Sequence, residues 1–97
     1  FPANRQDIAV AVAESVEAGA LVRTIRQSGG ETLREVRVFD VYRGPGIELG
    51  KKSLAILVLM QDTERTLTDA EIDSTLRDML SLLGQRFGAT LRTQDAT

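Results

Sequence analysis

The chain has 97 residues, 42% of them hydrophobic and 27% charged, which suits one folded domain with a core of its own and leaves no room for a second. Twelve Lys and Arg against fourteen Asp and Glu give a formal charge of −2, which excludes a global basic field able to hold long stretches of nucleic acid; any polyanion must be read locally. Cysteine and histidine are both absent, which removes disulfides, thiolate nucleophiles, thiolate zinc sites, the commonest general base and the commonest metal ligand together.

No apolar run approaches the ~20 residues that span a bilayer, and no charged-then-apolar leader opens the chain, so a soluble protein with no membrane partner is expected. A start at Phe1 with no Met reads as a piece of a longer protein.

In "DIAVAVA", Asp7 to Ala13, strict alternation puts Ile8, Val10 and Val12 on one face and Ala9, Ala11 and Ala13 on the other, the period of a half-buried strand. From Glu17 the spacing of Ala18, Leu21, Val22 and Ile25 predicts an amphipathic helix, stopped by Gly29 and Gly30. Leu33 to Tyr42 reads as a second strand whose apolar residues change parity: Val36 and Val38 lie on one phase, Phe39 and Val41 on the other. A bulge near Phe39 reconciles them. Lys52 to Met60 predicts a third, central strand with Leu54, Ile56, Val58 and Met60 inward and Ser53, Ala55, Leu57 and Leu59 opposite.

"TLTDAEI" is a capping box, with Thr68 as N-cap and Glu71 reaching back, before the stripe Ile72, Leu76, Met79, Leu80, Leu83 and Phe87. Asp73 and Arg77 are expected to pair on the wet face of this helix. Gly88 ends it, Ala89 to Arg92 is a short fourth strand, and "TQDAT", residues 93–97, reads as a frayed tail after a domain of residues 1–92.

The order β-α-β-β-α-β defines an α+β, ferredoxin-like sandwich: a four-stranded antiparallel sheet with two helices on one face and the other face open. On the open face the periodicities place Ala9 and Ala11, Ser53 and Ala55, and Asp40 and Tyr42. Small residues beside one phenol let a flat ring lie down. Asp40 can accept hydrogen bonds from the amino or imino groups of a base, and Arg43, Lys51 and Lys52 can hold phosphates, an arrangement suited to single-stranded RNA.

Taken singly, each feature has a plainer reading. A strand-end tyrosine is commonly an edge residue with a wet hydroxyl, Gly44, Pro45, Gly46 and Gly50 are commonly hairpin punctuation, and the three cations are commonly solvated. Their convergence on one loop and one face carries the argument. No catalytic residue and no metal ligand is predicted. Acylphosphatase-type chemistry on this fold needs an anion-cradling loop with an Arg and an Asn after the first strand, and "AESVEAG" has neither. Capping and dipole complementation account for Asp69 and Glu71 beside Asp62 and Glu64. The alternative is a regulatory module of the ACT type, which shares the element order and binds amino acids near the first strand-helix loop; Leu57 and Leu59 would then form a dimer interface.

"FPANRQDIAV", "VFDVYRGPGIELGKKSLA" and "QDTERTLTDAEI", in this order and spacing over residues 1 to about 92, resemble the C-terminal ferredoxin-fold anticodon-binding domain of bacterial phenylalanyl-tRNA synthetase beta chains. The resemblance implies recognition of the anticodon stem-loop of phenylalanine tRNA by a non-catalytic domain. ATP, magnesium and phenylalanine would act on the alpha chain of a cytoplasmic heterotetramer, with no DNA partner. It further implies that Tyr42 stacks on the wobble-base end of the anticodon, that Asp40 hydrogen-bonds it, that Ala9 and Ser53 lie against it, and that Arg43, Lys51 and Lys52 steady the backbone. Arg5 would assist or pair with Asp7. Gln6, in place of a more usual basic residue, would weaken a phosphate contact, and the outward Leu57 and Leu59 suggest that part of the open face packs against another domain.

Overall fold

A computed structural model describes residues 1–96. Six elements occur in the order β1 (Asn4–Ala13), α1 (Ala18–Ser28), β2 (Leu33–Tyr42), β3 (Lys51–Met60), α2 (Asp69–Phe87) and β4 (Thr90–Ala96). The strands form one antiparallel sheet in the order β2-β3-β1-β4. This is the ferredoxin-like α+β arrangement expected from the element order.

The period-2 pattern sorts the sheet. Ile8, Val10 and Val12 of β1 and Leu54, Ile56, Val58 and Met60 of β3 are buried beneath the helices, where Leu21 and Ile25 of α1 and Ile72, Leu76, Met79 and Leu83 of α2 meet them. Thr24 is buried as well, because its hydroxyl is satisfied by donating to the Ala20 carbonyl at 3.0 Å.

The helix ends obey local chemistry. Thr68 Oγ1 accepts from the Glu71 amide at 3.2 Å, and Glu71 Oε1 accepts from the Thr68 amide at 3.1 Å, closing the capping box. Gly88 closes α2 in the left-handed region at φ 65°, where a side chain would clash with its own backbone. Asp73 and Arg77 form no ion pair, contrary to expectation; an exposed pair gains too little to hold two mobile side chains in one geometry.

Three register shifts interrupt the sheet, one at Arg34 near the start of β2 and two beside the small residues of the uncovered face. In β2 the pairing steps from Val38↔Ile56 to Asp40↔Ala55, so Phe39 is the extra residue and the parity change is a bulge, as the sequence indicated. In β4 it steps from Val10↔Leu91 to Ala9↔Thr93, leaving Arg92 as the extra residue. The fourth strand also runs past Arg92: Thr93, Gln94, Asp95 and Ala96 pair with Ala9, Ile8, Asp7 and Gln6. Residues 93–96 are therefore sheet, not a frayed tail, because the edge of β1 offers backbone partners that do not depend on side-chain polarity. Thr97 lies outside the described residues.

Candidate nucleic-acid interface

The uncovered face is built from rows of cross-strand neighbours. Tyr42 of β2 stands opposite Ser53 of β3, which stands opposite Ala11 of β1; one step along, Asp40, Ala55 and Ala9 form the next row. The bulge at Phe39 is what turns Asp40 and Tyr42 onto this face. Beyond them lie Arg37, Leu57 and Asp7, then Glu35, Leu59 and Arg5. The structure thus brings Ala9, Asp40, Tyr42 and Ser53 together on one flat area whose floor is methyl- and hydroxymethyl-sized.

Tyr42 is 41% exposed, and its hydroxyl is not simply wet: it donates to the Pro45 carbonyl at 2.8 Å. The loop turns back over the phenol tip because Gly44 adopts φ 135°, and a Cβ there would stand 3.3 Å from the tyrosine oxygen. The Gly-Pro-Gly segment is therefore punctuation and also the clamp that fixes the ring. Asp40 is exposed and, among the described residues, makes no ion pair.

The expected phosphate cations are distributed differently. Arg43 is tied to Glu14, with its Nε donating to Glu14 Oε1 at 2.8 Å and a second short hydrogen bond from Nη2. That hydrogen bond, ahead of simple charge attraction, holds the Glu14 carboxyl below its ordinary value and raises the Arg43 guanidinium. Lys51 lies 3.1 Å from Glu48. Lys52 does not reach the face at all: it stands opposite Val12 in the register, shares the phase of Leu54 and is only 9% exposed. Two adjacent lysines on a strand must point to opposite faces, and Ser53 takes the open phase with Lys51.

Three further expectations resolve at this face. Arg5 pairs with Asp7, Nε to Oδ1 at 3.0 Å. Gln6 is on the helix-covered side and buried, its amide donating to Asn4 Oδ1 at 2.6 Å, so it is no phosphate position. The two leucines expected to face outward as a dimer or domain interface are both on the open phase, but Leu57 is only 4% exposed in the chain by itself and Leu59 is half-buried.

One residue escaped the sequence reading. Arg92, the bulge residue of β4, holds its guanidinium over the Tyr42 ring, with Cζ 6.0 Å from the centroid. Nothing local marks it, since the two residues belong to opposite edges of the sheet.

A ferredoxin-like domain that leaves one sheet face uncovered, floors it with small residues and edges it with a fixed phenol and a free carboxylate has the make-up of a stacking platform for a flat ring. The chain belongs to the ferredoxin-fold anticodon binding domain family, whose model matches residues 1–92. It is 51% identical over 92 residues to the phenylalanine–tRNA ligase beta subunit of Haemophilus influenzae. The identity is 52% to that of Shewanella oneidensis and 49% to that of Aliivibrio fischeri, each over 92 residues. In each case the alignment covers 95% of this chain and 12% of the relative, so the chain spans about an eighth of the length of the curated relatives it matches. Among solved structures, a putative amidohydrolase/peptidase from Burkholderia cenocepacia is similar with a TM-score of 0.48 and 14% identity, over 98% of this chain and 27% of that one.

Proposed function

We propose that the uncovered sheet face reads the anticodon of phenylalanine tRNA, as a domain of the beta subunit of a phenylalanine–tRNA ligase. The observation that carries this reading is the pair of adjacent rows Tyr42–Ser53–Ala11 and Asp40–Ala55–Ala9, which sets a stacking ring, a hydrogen-bond acceptor and a flat floor side by side in a family of anticodon-binding domains.

The roles derive from the geometry. Tyr42, held at its tip by Pro45, stacks on an unpaired base, a contact worth ~1 to 3 kcal/mol. Asp40 accepts from amino or imino groups on that base's edge, Ser53 offers its hydroxyl, and Ala9 allows close approach. Arg43 and Lys51 contact phosphates by exchanging Glu14 and Glu48 for RNA, an exchange that costs little between exposed partners. Lys52, facing the helices, has no part in it.

The attachment of phenylalanine to tRNA at the expense of ATP belongs to other parts of the ligase, with an alpha chain in a cytoplasmic heterotetramer. Among the described residues no group of three or more Asp, Glu, His or Cys is placed to hold a metal, and no helix is long and apolar enough to cross a membrane. No step through ATP or magnesium is assigned to this chain. With a net charge of −2, its affinity for RNA on its own is weak at physiological salt, and avidity with the rest of the enzyme supplies the remainder.

Titration of the isotope-labelled chain with a phenylalanine anticodon stem-loop and a wobble-base variant, for the parent and Tyr42→Ala, tests the reading. Amide shifts should map to Ala9, Asp40, Tyr42 and Ser53, depend on the wobble base, and weaken about 5- to 150-fold in the variant. Shifts confined to the helices, or produced instead by free phenylalanine near Glu14 to Gly19, would overturn it in favour of an amino-acid-sensing module.

A further inference from the structure

The strand order puts β2 and β4 at opposite edges of the sheet, three strand spacings or about 14 Å apart. Tyr42 and Arg92 nevertheless meet, because both side chains lean inward over the central strands. Between them the sheet presents only Ser53 and Ala55 from β3 and Ala9 and Ala11 from β1, none tall enough to separate the two. The bulge in β4 is what aims Arg92 this way.

The separation is informative. A guanidinium in direct contact with a ring would stand about 3.5–4 Å from it, at the usual carbon-carbon separation. Here Cζ is 6.0 Å from the centroid. A planar base inserted between two flat groups needs about 7 Å between them, two such separations, so Arg92 has to move away from the ring to admit one. An arginine side chain supplies that through small changes at several torsions, whereas Tyr42 is fixed by its hydrogen bond to Pro45. In addition, Arg92 is not among the arginines engaged by a carboxylate: Arg5, Arg43 and Arg65 carry the ion pairs formed by arginine among the described residues.

We propose that Arg92 is a further RNA-binding residue, which closes over the base stacked on Tyr42 so that the base is held between a phenol below and a guanidinium plane above. Arginine planes stack on unpaired bases, and the delocalised cation also favours a position near backbone phosphate. The proposal rests on the reading of the open face as an anticodon site, and it assigns to β4 a role in specificity for an unpaired base over a paired or missing one. It also gives the extension of β4 past Arg92 a purpose: pairing of Thr93 to Ala96 with β1 anchors the bulge from the far side.

The test compares the parent chain with Arg92→Ala, Arg92→Lys and Tyr42→Ala, against a phenylalanine anticodon stem-loop and the same hairpin with the wobble base removed. The chain contains a single tyrosine, so incorporation of 3-fluorotyrosine reports on the Tyr42 ring alone by 19F resonance, alongside amide shifts that verify the fold. Arg92→Ala should weaken binding of the intact hairpin about five- to tenfold. Against the abasic hairpin its effect should fall below about twofold, because the two deletions remove the same contact and are non-additive. Lysine, which keeps the charge but has no plane, should not restore the loss.

Equal weakening against both hairpins with rescue by lysine would reduce Arg92 to a phosphate contact and overturn the clamp. Tighter binding by Arg92→Ala would overturn it too, since the guanidinium would then be an obstruction. An unchanged Arg92→Ala beside a weakened Tyr42→Ala removes the clamp and leaves the anticodon reading standing. Unchanged binding by Tyr42→Ala itself removes both.

Discussion

The two faces of the sheet are written in the same strands, one residue out of phase, and they solve opposite problems. On the helix-covered face Val10, Leu54, Ile56 and Val58 are fully buried and large, so cohesion comes from filling volume. On the part of the open face beside Tyr42 the residues in between are Ala9, Ala11, Ser53 and Ala55, which leave volume unfilled, and the large groups stand at its border as Tyr42 and Arg92. Ser53 is as well buried as many core residues, at 3% exposure, yet it faces away from the helices. Burial alone therefore does not tell core from site; side-chain size and phase do.

Adjacent residues on β3 put this contrast at its sharpest. Leu54→Ala removes a side chain with no exposed surface and should destabilise the chain by ~2 to 5 kcal/mol, read as a lower urea midpoint at unchanged slope. Ala55→Leu, one residue on, should cost less than about 1.5 kcal/mol because its side chain enters open space, yet abolish binding of the stem-loop by occupying the floor between Asp40 and Ala9. If Ala55→Leu folds and still binds with parental affinity, the open face is not the site.

The cover of the sheet is set by the start of α2. Thr68→Ala removes the N-cap acceptor and should cost ~1 kcal/mol with RNA binding unaffected. Glu71, bridged first by Arg65 and then by the Thr68 amide and hydroxyl, is held at about 2, below its ordinary 4.5. Because the folded value is the lower one, its contribution is complete above about 4.5 and is lost as pH falls toward 2. Glu71→Gln should therefore be less stable than the parent at pH 7, with the difference shrinking through that window in thermal melts. A difference that stays constant from pH 7 down to pH 2 would rule out the carboxylate as its source.

How far each part was legible depends on how local its cause is. The capping box and the stripe behind it lie within twenty residues of one another and were readable outright. The bulge at Phe39 was only half readable: the parity change between Val38 and Phe39 suggested an extra residue, but the phase of Asp40 and Tyr42 is set by their pairing with β3. The length of β4 was not readable: Thr93 to Asp95 carry no apolar alternation, and their pairing is supplied by β1, more than eighty residues away. Arg92 was invisible for the same reason, since its meeting with Tyr42 depends on strand order and on a bulge that no residue type announces. Lys52 differs again. Its phase was already implied once Ser53 was placed on the open face, but its charge suggested phosphate more strongly than its position allowed.

That pair of lysines offers the finest discrimination between the faces. Lys51 and Lys52 are equal in charge and adjacent in sequence, so any scheme in which the loop acts as a diffuse basic patch predicts equal effects on neutralising either. The register predicts otherwise: Lys51 shares the phase of Ser53, while Lys52 shares that of Leu54 and is 9% exposed. Lys51→Gln should weaken stem-loop binding about two- to threefold and lower the slope of log affinity against log salt by roughly 0.7, the share of one phosphate contact on a single strand. Lys52→Gln should leave both unchanged within error. The loss at Lys51 is small because Glu48 already neutralises it in the free chain and must be exchanged for RNA. Equal slopes for both variants would mean that the backbone is held by the field of the loop as a whole, and that the one-residue phase separating core from site does not extend to the phosphates.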